Sequence, residues 1–301
     1  MTLFQPTEAQ RPLVELTEGC HLVQAPPGTG KTQVLTHRIL RLLEREPTET
    51  FRILALTFTT KAAENLRKRV KQGVGDEAER VNACTFHSFC MDALQHYGQF
   101  VAFPSDTTIY EAEEDRLSVL AGALDDEGMP ALDKAKLKSQ LDQIGVEKRD
   151  LKPPEAVNDA ELAIAYEAYD NLLRRFHACD FDDLMWLTWR LMTENPRIAR
   201  HYRRMYRYIM VDEAQDTSRA QYEILRAICG EEHRNVMMVA DTDQFIYRFA
   251  GANSKWLDAF VRDFSAQRHD LFENFRCGAT IVAAANRLVQ NQPGRLPKPA
   301  M

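Results

Sequence analysis

Cysteine is sparse and scattered in this 301-residue chain: Cys20, Cys84, Cys90, Cys179, Cys229 and Cys277 contain no CxxC pair. That argues for reduced thiols and against a disulfide framework or a four-cysteine metal site. Cys84, His87 and Cys90 are evenly spaced, but a structural metal site built on them would need a fourth partner. No uninterrupted apolar run reaches the length that spans a bilayer. Met1–Gln10 lacks the basic-then-apolar pattern of a signal peptide, so a cytoplasmic protein is expected. Internal repeats and low-complexity tracts are missing too. So is an excess of positive charge: 38 Lys and Arg stand against 44 Asp and Glu, for a net charge of −6. The total therefore announces no nucleic-acid binder, and local clusters matter more. Lys61, Arg67, Lys68, Arg69 and Lys71 form one basic segment, and Arg197, Arg200, Arg203, Arg204 and Arg207 form another. Each is either a solvated helix face or a DNA contact, and charge alone leaves both open.

What remains is ordinary globular composition, 45% hydrophobic and 27% charged. The length suits two modest domains, or one larger domain carrying an insertion. Runs rich in β-branched residues or Leu read as buried strands at His21–Gln24, Ile53–Thr57, Val81–Cys84, Tyr208–Val211 and Val236–Val239, with a weaker sixth at His269–Phe272. Most are followed by a helical pattern; after Lys31, for example, Leu35, Ile39 and Leu42 recur at helical spacing. Strands alternating with helices imply an α/β fold whose parallel sheet is covered by helices. From about Met91 to about Cys179 no strand is legible, and helical stretches are separated by Pro104, the Asp125–Pro130 turn and Pro153–Pro154. The expected organisation is an α/β domain from residues 1–90 and 181–290, interrupted by an all-helical subdomain at 91–180. Residues 291–301, with three prolines and a glycine, read as a disordered tail or a cut end.

Ala25-Pro-Pro-Gly-Thr-Gly-Lys31-Thr32 joins an expected strand to an expected helix. It fits the phosphate-loop pattern GxxxxGK(S/T), with Ala25 at the first glycine. Gly28 and Gly30 let backbone N–H groups wrap phosphates, and Thr29 lies between them; the helix N-terminus adds a favourable dipole. Lys31 neutralises the β- and γ-phosphates, while the Thr32 hydroxyl ligates Mg²⁺. The alternative is a glycine-rich turn that only caps a helix, which the strand–loop–helix setting disfavours. A second element supports the phosphate reading: the run Tyr208–Val211 ends in Asp212-Glu213. A carboxylate at a strand's C-terminal end holds Mg²⁺, the role expected of Asp212. Glu213 then polarises the attacking water as general base. A pair of acids capping the next helix is the bland reading, and the upstream loop weighs against it. ATP and Mg²⁺ are the expected cofactors.

Asp212-Glu-Ala-Gln-Asp216 resembles the DExQD box of UvrD/Rep-type superfamily 1 DNA helicases, and further segments match that family in order across nearly all 301 residues. Thr7-Glu-Ala-Gln10 resembles the family's glutamine motif, which implies that Gln10 reads the adenine edge; the same spacing also fits a helix capping box. Leu56-Thr-Phe-Thr-Thr-Lys-Ala-Ala63 is similar to the family's next motif, making Thr59 and Lys61 candidate DNA-phosphate contacts, although threonines at a helix start are usually caps. Thr85-Phe-His-Ser-Phe89 resembles the TFHS segment, another DNA-facing element, with Thr85 and His87 as candidates and Phe86 and Phe89 expected to pack first. Phe181-Asp-Asp-Leu184 resembles the short motif where the insertion returns to the motor domain, and its acids are given no catalytic role. Asp241-Thr-Asp-Gln-Phe-Ile-Tyr-Arg-Phe-Ala-Gly251 is similar to the GDxDQxIYxFRG pattern. That likeness implies that Gln244 senses the γ-phosphate and that Tyr247 and Phe249 offer aromatic faces to bases, where stacking is worth ~1–3 kcal/mol each. Both rings also suit a core. Glu273-Asn-Phe-Arg276 resembles the NYR motif, whose arginine, here Arg276, reaches the γ-phosphate and stabilises transition-state charge.

The sequence also departs from the family pattern. Gln33 follows Lys31-Thr32 where the family usually has Arg, Phe245 replaces a small residue, and Ala250 stands where Arg usually follows the aromatic. Ala25 and Ala240 replace glycines. No second RecA-like domain follows the Asn274–Arg276 motif. The resemblance thus implies a RecA-like P-loop NTPase domain with a helical insertion, the ATP-binding N-terminal half of an ATP-dependent helicase or translocase. Its expected polarity is 3′-to-5′, and its expected partner is single-stranded DNA or a single/double-strand junction. The second motor domain would come from the rest of a parent chain. A truncated, non-catalytic module that binds nucleotide or a protein is the rival expectation. A small-molecule kinase would have no need of the Asp212–Asp216 and Asp241–Gly251 motifs.

Overall fold

The structure, a computed structural model, describes residues 5–47, 50–233, 235–244, 253 and 255–290. Tyr247, Phe249, Phe245 and Ala250, all singled out above, lie outside the described residues. In chain order the elements are α1 (Arg11–Glu15), β1 (Gly19–Gln24), α2 (Lys31–Arg45), β2 (Arg52–Thr57), α3 (Thr60–Val74), β3 (Val81–Thr85), α4 (Phe86–Tyr97), β4 (Thr108–Ile109), α5 (Glu113–Asp126), α6 (Lys134–Arg149) and α7 (Ala160–Arg175). Then follow β5 (Ala178–Cys179), α8 (Phe181–Glu194), α9 (Pro196–Met205), β6 (Tyr206–Val211), α10 (Arg219–Cys229), β7 (Asn235–Ala240), α11 (Lys255–Asp263), β8 (Gln267–Asp270) and α12 (Ala279–Gln290). The chain forms two compact units, one from residues 1–86, 201–217 and 229–301, the other from 87–200 and 218–228.

The first unit is built on a six-stranded sheet in the order β3-β2-β6-β7-β1-β8, with every pairing parallel. Alternate residues divide its faces. Val23, Ile53, Ala55, Val81, Ala83, Tyr208, Met210, Met237 and Val239 join one core with Leu35 and Ile39 of α2 and Leu66 and Val70 of α3. Their neighbours Leu22, Leu54, Leu56, Ile209, Val211, Val236 and Met238 are also buried. A parallel sheet covered on both faces is what the continuous apolar runs anticipate. Strands β1, β2, β3, β6 and β7 begin one or two residues before their apolar runs or extend one beyond them.

Two expectations need correction. The sixth strand runs over Gln267–Asp270 rather than His269–Phe272, because it pairs with His21–Gln24 of β1 and ends where β1 ends. Leu271 then turns inward, its N–H donating to Gln24 O at 2.8 Å. The helical stretch is also not free of strands: Thr108–Ile109 pairs in parallel with Ala178–Cys179. Two residues are too few to show alternation. The second unit is otherwise helical, cored by Leu120 and Leu124 of α5, Ile144 of α6, and Tyr166, Tyr169 and Leu173 of α7.

A parallel sheet sends all its C-terminal strand ends to one edge, where ligands of open α/β sheets bind. Here β1, β7 and β6 are successive neighbours, so the segments after Gln24, Ala240 and Val211 emerge side by side.

Candidate nucleotide-binding and hydrolysis site

Backbone geometry rather than side-chain bulk shapes the loop after β1. Gly28 and Gly30 hold φ of 80° and 84°, a left-handed region that favours glycine. Gly28 is also needed for close approach: a Cβ there would lie 2.8 Å from the Asn274 amide and 2.9 Å from Arg276 Cβ. The loop and the Asn274–Arg276 segment are in fact laced together. Asn274 Nδ2 donates to Pro27 O at 2.7 Å, and the Phe275 N–H donates to Gly28 O at 2.8 Å. Asn274 Oδ1 in turn accepts the N–H of Arg276 at 2.9 Å and of Cys277 at 2.8 Å. Arg276 itself is exposed. Ala25 is fully buried and its N–H donates to Ala240 O at 2.9 Å, tying the loop to the end of β7. Thr29 is buried, with its hydroxyl donating to Pro26 O at 2.8 Å.

Gln10 lies against this loop. Its Nε2 donates to Thr29 O at 3.0 Å, and its Oε1 accepts the Thr7 N–H at 3.2 Å. The Thr7 hydroxyl accepts the Gln10 N–H at 3.4 Å, so the capping-box pairing is present as well.

The acids meet the loop from β6. Lys31 Nζ stands 3.0 Å from Glu213 Oε2, and Thr32 Oγ1 donates to Asp212 Oδ2 at 3.2 Å. Thus Lys31, Thr32, Asp212 and Glu213, 180 residues apart in sequence at the Thr32–Asp212 pair, converge on one spot. Glu213 sits at a left-handed φ of 51°, and its N–H donates to Asp212 Oδ1 at 3.0 Å. Burial pushes the Asp212 carboxyl up to about 6; Glu213 adds to the rise and Lys31 opposes it. Asp216 is also pushed up to about 6, by burial first and then by Glu213, again against Lys31. Asp216 Oδ1 is buried without a hydrogen-bond partner. The oxygen pair of the Thr32 hydroxyl and the Asp212 carboxylate is of the hard-donor type that suits a cation such as Mg²⁺. Beyond β7, Gln244 Nε2 donates to Asp241 Oδ2 at 2.8 Å.

The DNA-facing candidates divide. Thr59 is exposed and caps α3, its hydroxyl accepting the Ala62 N–H at 3.1 Å; Lys61 is exposed on the first turn of that helix. Thr85 is buried at the end of β3. His87, in the helical unit, places its ring edge-on to Phe181 at 5.4 Å, and burial lowers its pKa. Phe86 and Phe89 are both buried. Gln215, Asp216, Asp241 and Asn274 also belong to the site. All four lie inside motifs legible in the sequence, which named the motifs without assigning these side chains a task.

The family model "UvrD/REP helicase N-terminal domain" matches residues 6–265. The ATP-dependent DNA helicase PcrA of Staphylococcus aureus (strain Mu50) is 35% identical over 297 residues, covering 96% of this chain and 40% of the relative. The ATP-dependent DNA helicase PcrA of Staphylococcus epidermidis (strain ATCC 12228) gives the same identity and coverage. The chain therefore spans about two fifths of the length of the curated relatives it matches.

Proposed function

The chain belongs to the UvrD/REP helicase N-terminal domain family, and on that premise we propose that it is the ATP-binding N-terminal portion of an ATP-dependent DNA helicase or translocase. The observation that carries the proposal is the convergence of Lys31 on Glu213 at 3.0 Å and of Thr32 on Asp212 at 3.2 Å. In this reading the backbone of Gly28–Gly30 and the Lys31 ammonium bind the phosphates, and Gln10 contacts adenine. Thr32 and Asp212 hold Mg²⁺, which supplies charge neutralisation to the phosphates when bound. Glu213 takes a proton from water as the water oxygen bonds to the γ-phosphorus and the bond to the ADP oxygen breaks. Gln244 and Arg276 couple phosphate loss to domain movement, and Thr59, Lys61, Thr85, His87, Tyr247 and Phe249 are the proposed DNA contacts. Single-stranded DNA or a single/double-strand junction is the proposed substrate, with 3′-to-5′ movement. The proposal includes a second motor domain from the rest of a parent chain, a motor division at residues 1–90 and 181–290 around an insertion at 91–180, and a cytoplasmic setting.

The test is ATP hydrolysis with and without single-stranded DNA, beside fluorescence binding of MgATP, for the wild-type chain and Glu213→Gln. Removing the general base should cut turnover by ~10²–10⁴-fold while MgATP still binds. Turnover by the wild-type chain that Glu213→Gln leaves undiminished would sink the role of Glu213. A wild-type chain that fails to bind MgATP would sink the reading of the site.

A further inference from the structure

Gln215 lies in the short turn after β6 and is only 2% exposed. A buried primary amide needs partners at both ends. Its Oε1 accepts the Asp241 N–H at 2.9 Å, and its Nε2 donates to Glu213 Oε2 at 2.8 Å, with a longer 3.5 Å contact to Asp216 Oδ2. Turned the other way round, the amide would set N–H against N–H and oxygen against carboxylate, so its orientation is fixed by its neighbours. Asp241 in turn accepts the Asp243 N–H at 3.0 Å on one oxygen and Gln244 Nε2 at 2.8 Å on the other. A continuous chain of contacts therefore runs from Lys31 through Glu213, Gln215 and Asp241 to Gln244.

From this chain we infer that Gln215 is a positioning residue that ties the water-activating carboxylate of Glu213 to the phosphate-sensing segment Asp241–Gln244. The inference rests on the roles proposed above for Glu213 and Gln244. Both the Lys31 ammonium and the Gln215 amide bind the same oxygen, Oε2 of Glu213. A shift of the sensing segment moves the Asp241 N–H, and the rigid amide carries the shift to the carboxylate. Small displacements of a general base matter: a misplacement of ~1 Å costs on the order of a hundredfold in rate.

Two substitutions separate the arms. Gln215→Met keeps length and burial but loses both contacts. Gln215→Glu keeps an acceptor for the Asp241 N–H and sets a second carboxylate beside Glu213. The measurement is amide hydrogen exchange at residues 235–244 in the full 301-residue chain, with and without Mg²⁺ and a non-hydrolysable ATP analogue, beside fluorescence titration of the analogue. In wild type the analogue should change exchange at Asp241–Gln244. In Gln215→Met the analogue should bind within about threefold of wild type, Asp241 should exchange roughly tenfold faster, and the response to the analogue should vanish while strand β7 stays protected. Gln215→Glu should keep Asp241 protected, yet lower kcat about tenfold or more at a nearly unchanged KM for ATP. Unchanged exchange at Asp241 in Gln215→Met, or faster exchange spread along all of β7, would overturn the tie; so would a persisting response to the analogue. Failure of the wild-type chain to bind the analogue would instead count against the site itself.

Discussion

Lys31 and Lys148 both sit among carboxylates, one at the end of the parallel sheet and the other inside the helical unit. Lys31 has Glu213 at 3.0 Å, with the two side chains 10% and 35% exposed. Lys148 is completely buried, with Asp170 at 2.8 Å, Asp180 at 3.2 Å and Asp183 at 2.6 Å. Tyr166 and Tyr169 face the same ammonium at 5.6 and 5.0 Å. Burial alone would discharge Lys148, but the three carboxylates override it and hold its pKa well above the usual lysine range. Asp180 and Asp183 also cap α8 reciprocally, each accepting the other's N–H, so the cluster fixes where that helix begins. The sheet-edge pair keeps part of its surface exposed. The helical cluster encloses its single ammonium among three acids, and what it gains is a fixed junction of α6, α7 and α8.

The largest expected effect breaks the helical cluster. Lys148→Met leaves three buried acids without their cation, and removing one partner of a buried ionic set costs about 3–5 kcal/mol. Urea unfolding should show that loss, with exchange protection lost first in α6–α8. Lys31→Met should change stability by less than ~1 kcal/mol, because its pair is partly exposed. Its MgATP affinity should instead fall on the order of a hundredfold, as expected for losing a charged phosphate contact. A Lys31 variant as unstable as the Lys148 variant would erase the distinction between the two clusters.

His233 sharpens the comparison by solving burial the other way. It is 7% exposed, and burial lowers its pKa from 6.5 to about 4, against the backbone of Asn235 and with Arg203 adding to the fall. Lys148 keeps its charge because acids surround it, whereas His233 gives its charge up. Since the folded-state value lies below the unfolded one, the unfolded chain takes the proton first. Stability is therefore intact above about pH 6.5 and lost progressively as the pH falls toward 4, by up to about 3 kcal/mol. Thermal melting of His233→Asn between pH 7 and 4 should show a shallower acid decline than wild type. Parallel declines would mean that His233 is already charged in the folded protein.

Much of this was legible in the sequence for a physical reason. Strands buried on both faces read as continuous apolar runs, so the four inner strands β2, β6, β7 and β1 stood out, the apolar run of edge strand β3 was legible beside them, and phosphate chemistry constrains Gly28, Gly30 and Lys31 too tightly to miss. What stayed hidden was whatever depends on distant partners or short elements. Edge strand β8 is mostly exposed, and β4 and β5 have two residues each. Asn274 meets the loop across 247 residues. Lys148 looked like any helix lysine because its acids lie more than twenty residues downstream, and the amide of Gln215 acquires a direction only once Asp241 is beside it.

The smallest effect tests whether the helical cluster holds one acid more than it needs. Asp170→Asn keeps an oxygen beside Lys148, at a side chain 13% exposed, and leaves Asp180, whose carboxyl Lys148 holds below the usual range despite burial, as the charged partner, while burial and Asp180 push the Asp183 carboxyl well up. Arg174, 3.7 Å from Asp170 and largely exposed, loses little. The expected cost is therefore ~1 kcal/mol or less, the scale of one ordinary hydrogen bond. In the double variant with Lys148→Met, removing this negative charge should recover ~1–2 kcal/mol of the larger loss, a coupling of the size seen between contacting residues. Additive losses would mean that Asp170 and Lys148 do not act as a pair. A single Asp170→Asn loss as large as that of Lys148→Met would mean that all three acids are required, and that the cluster tolerates its surplus charge only as a complete set.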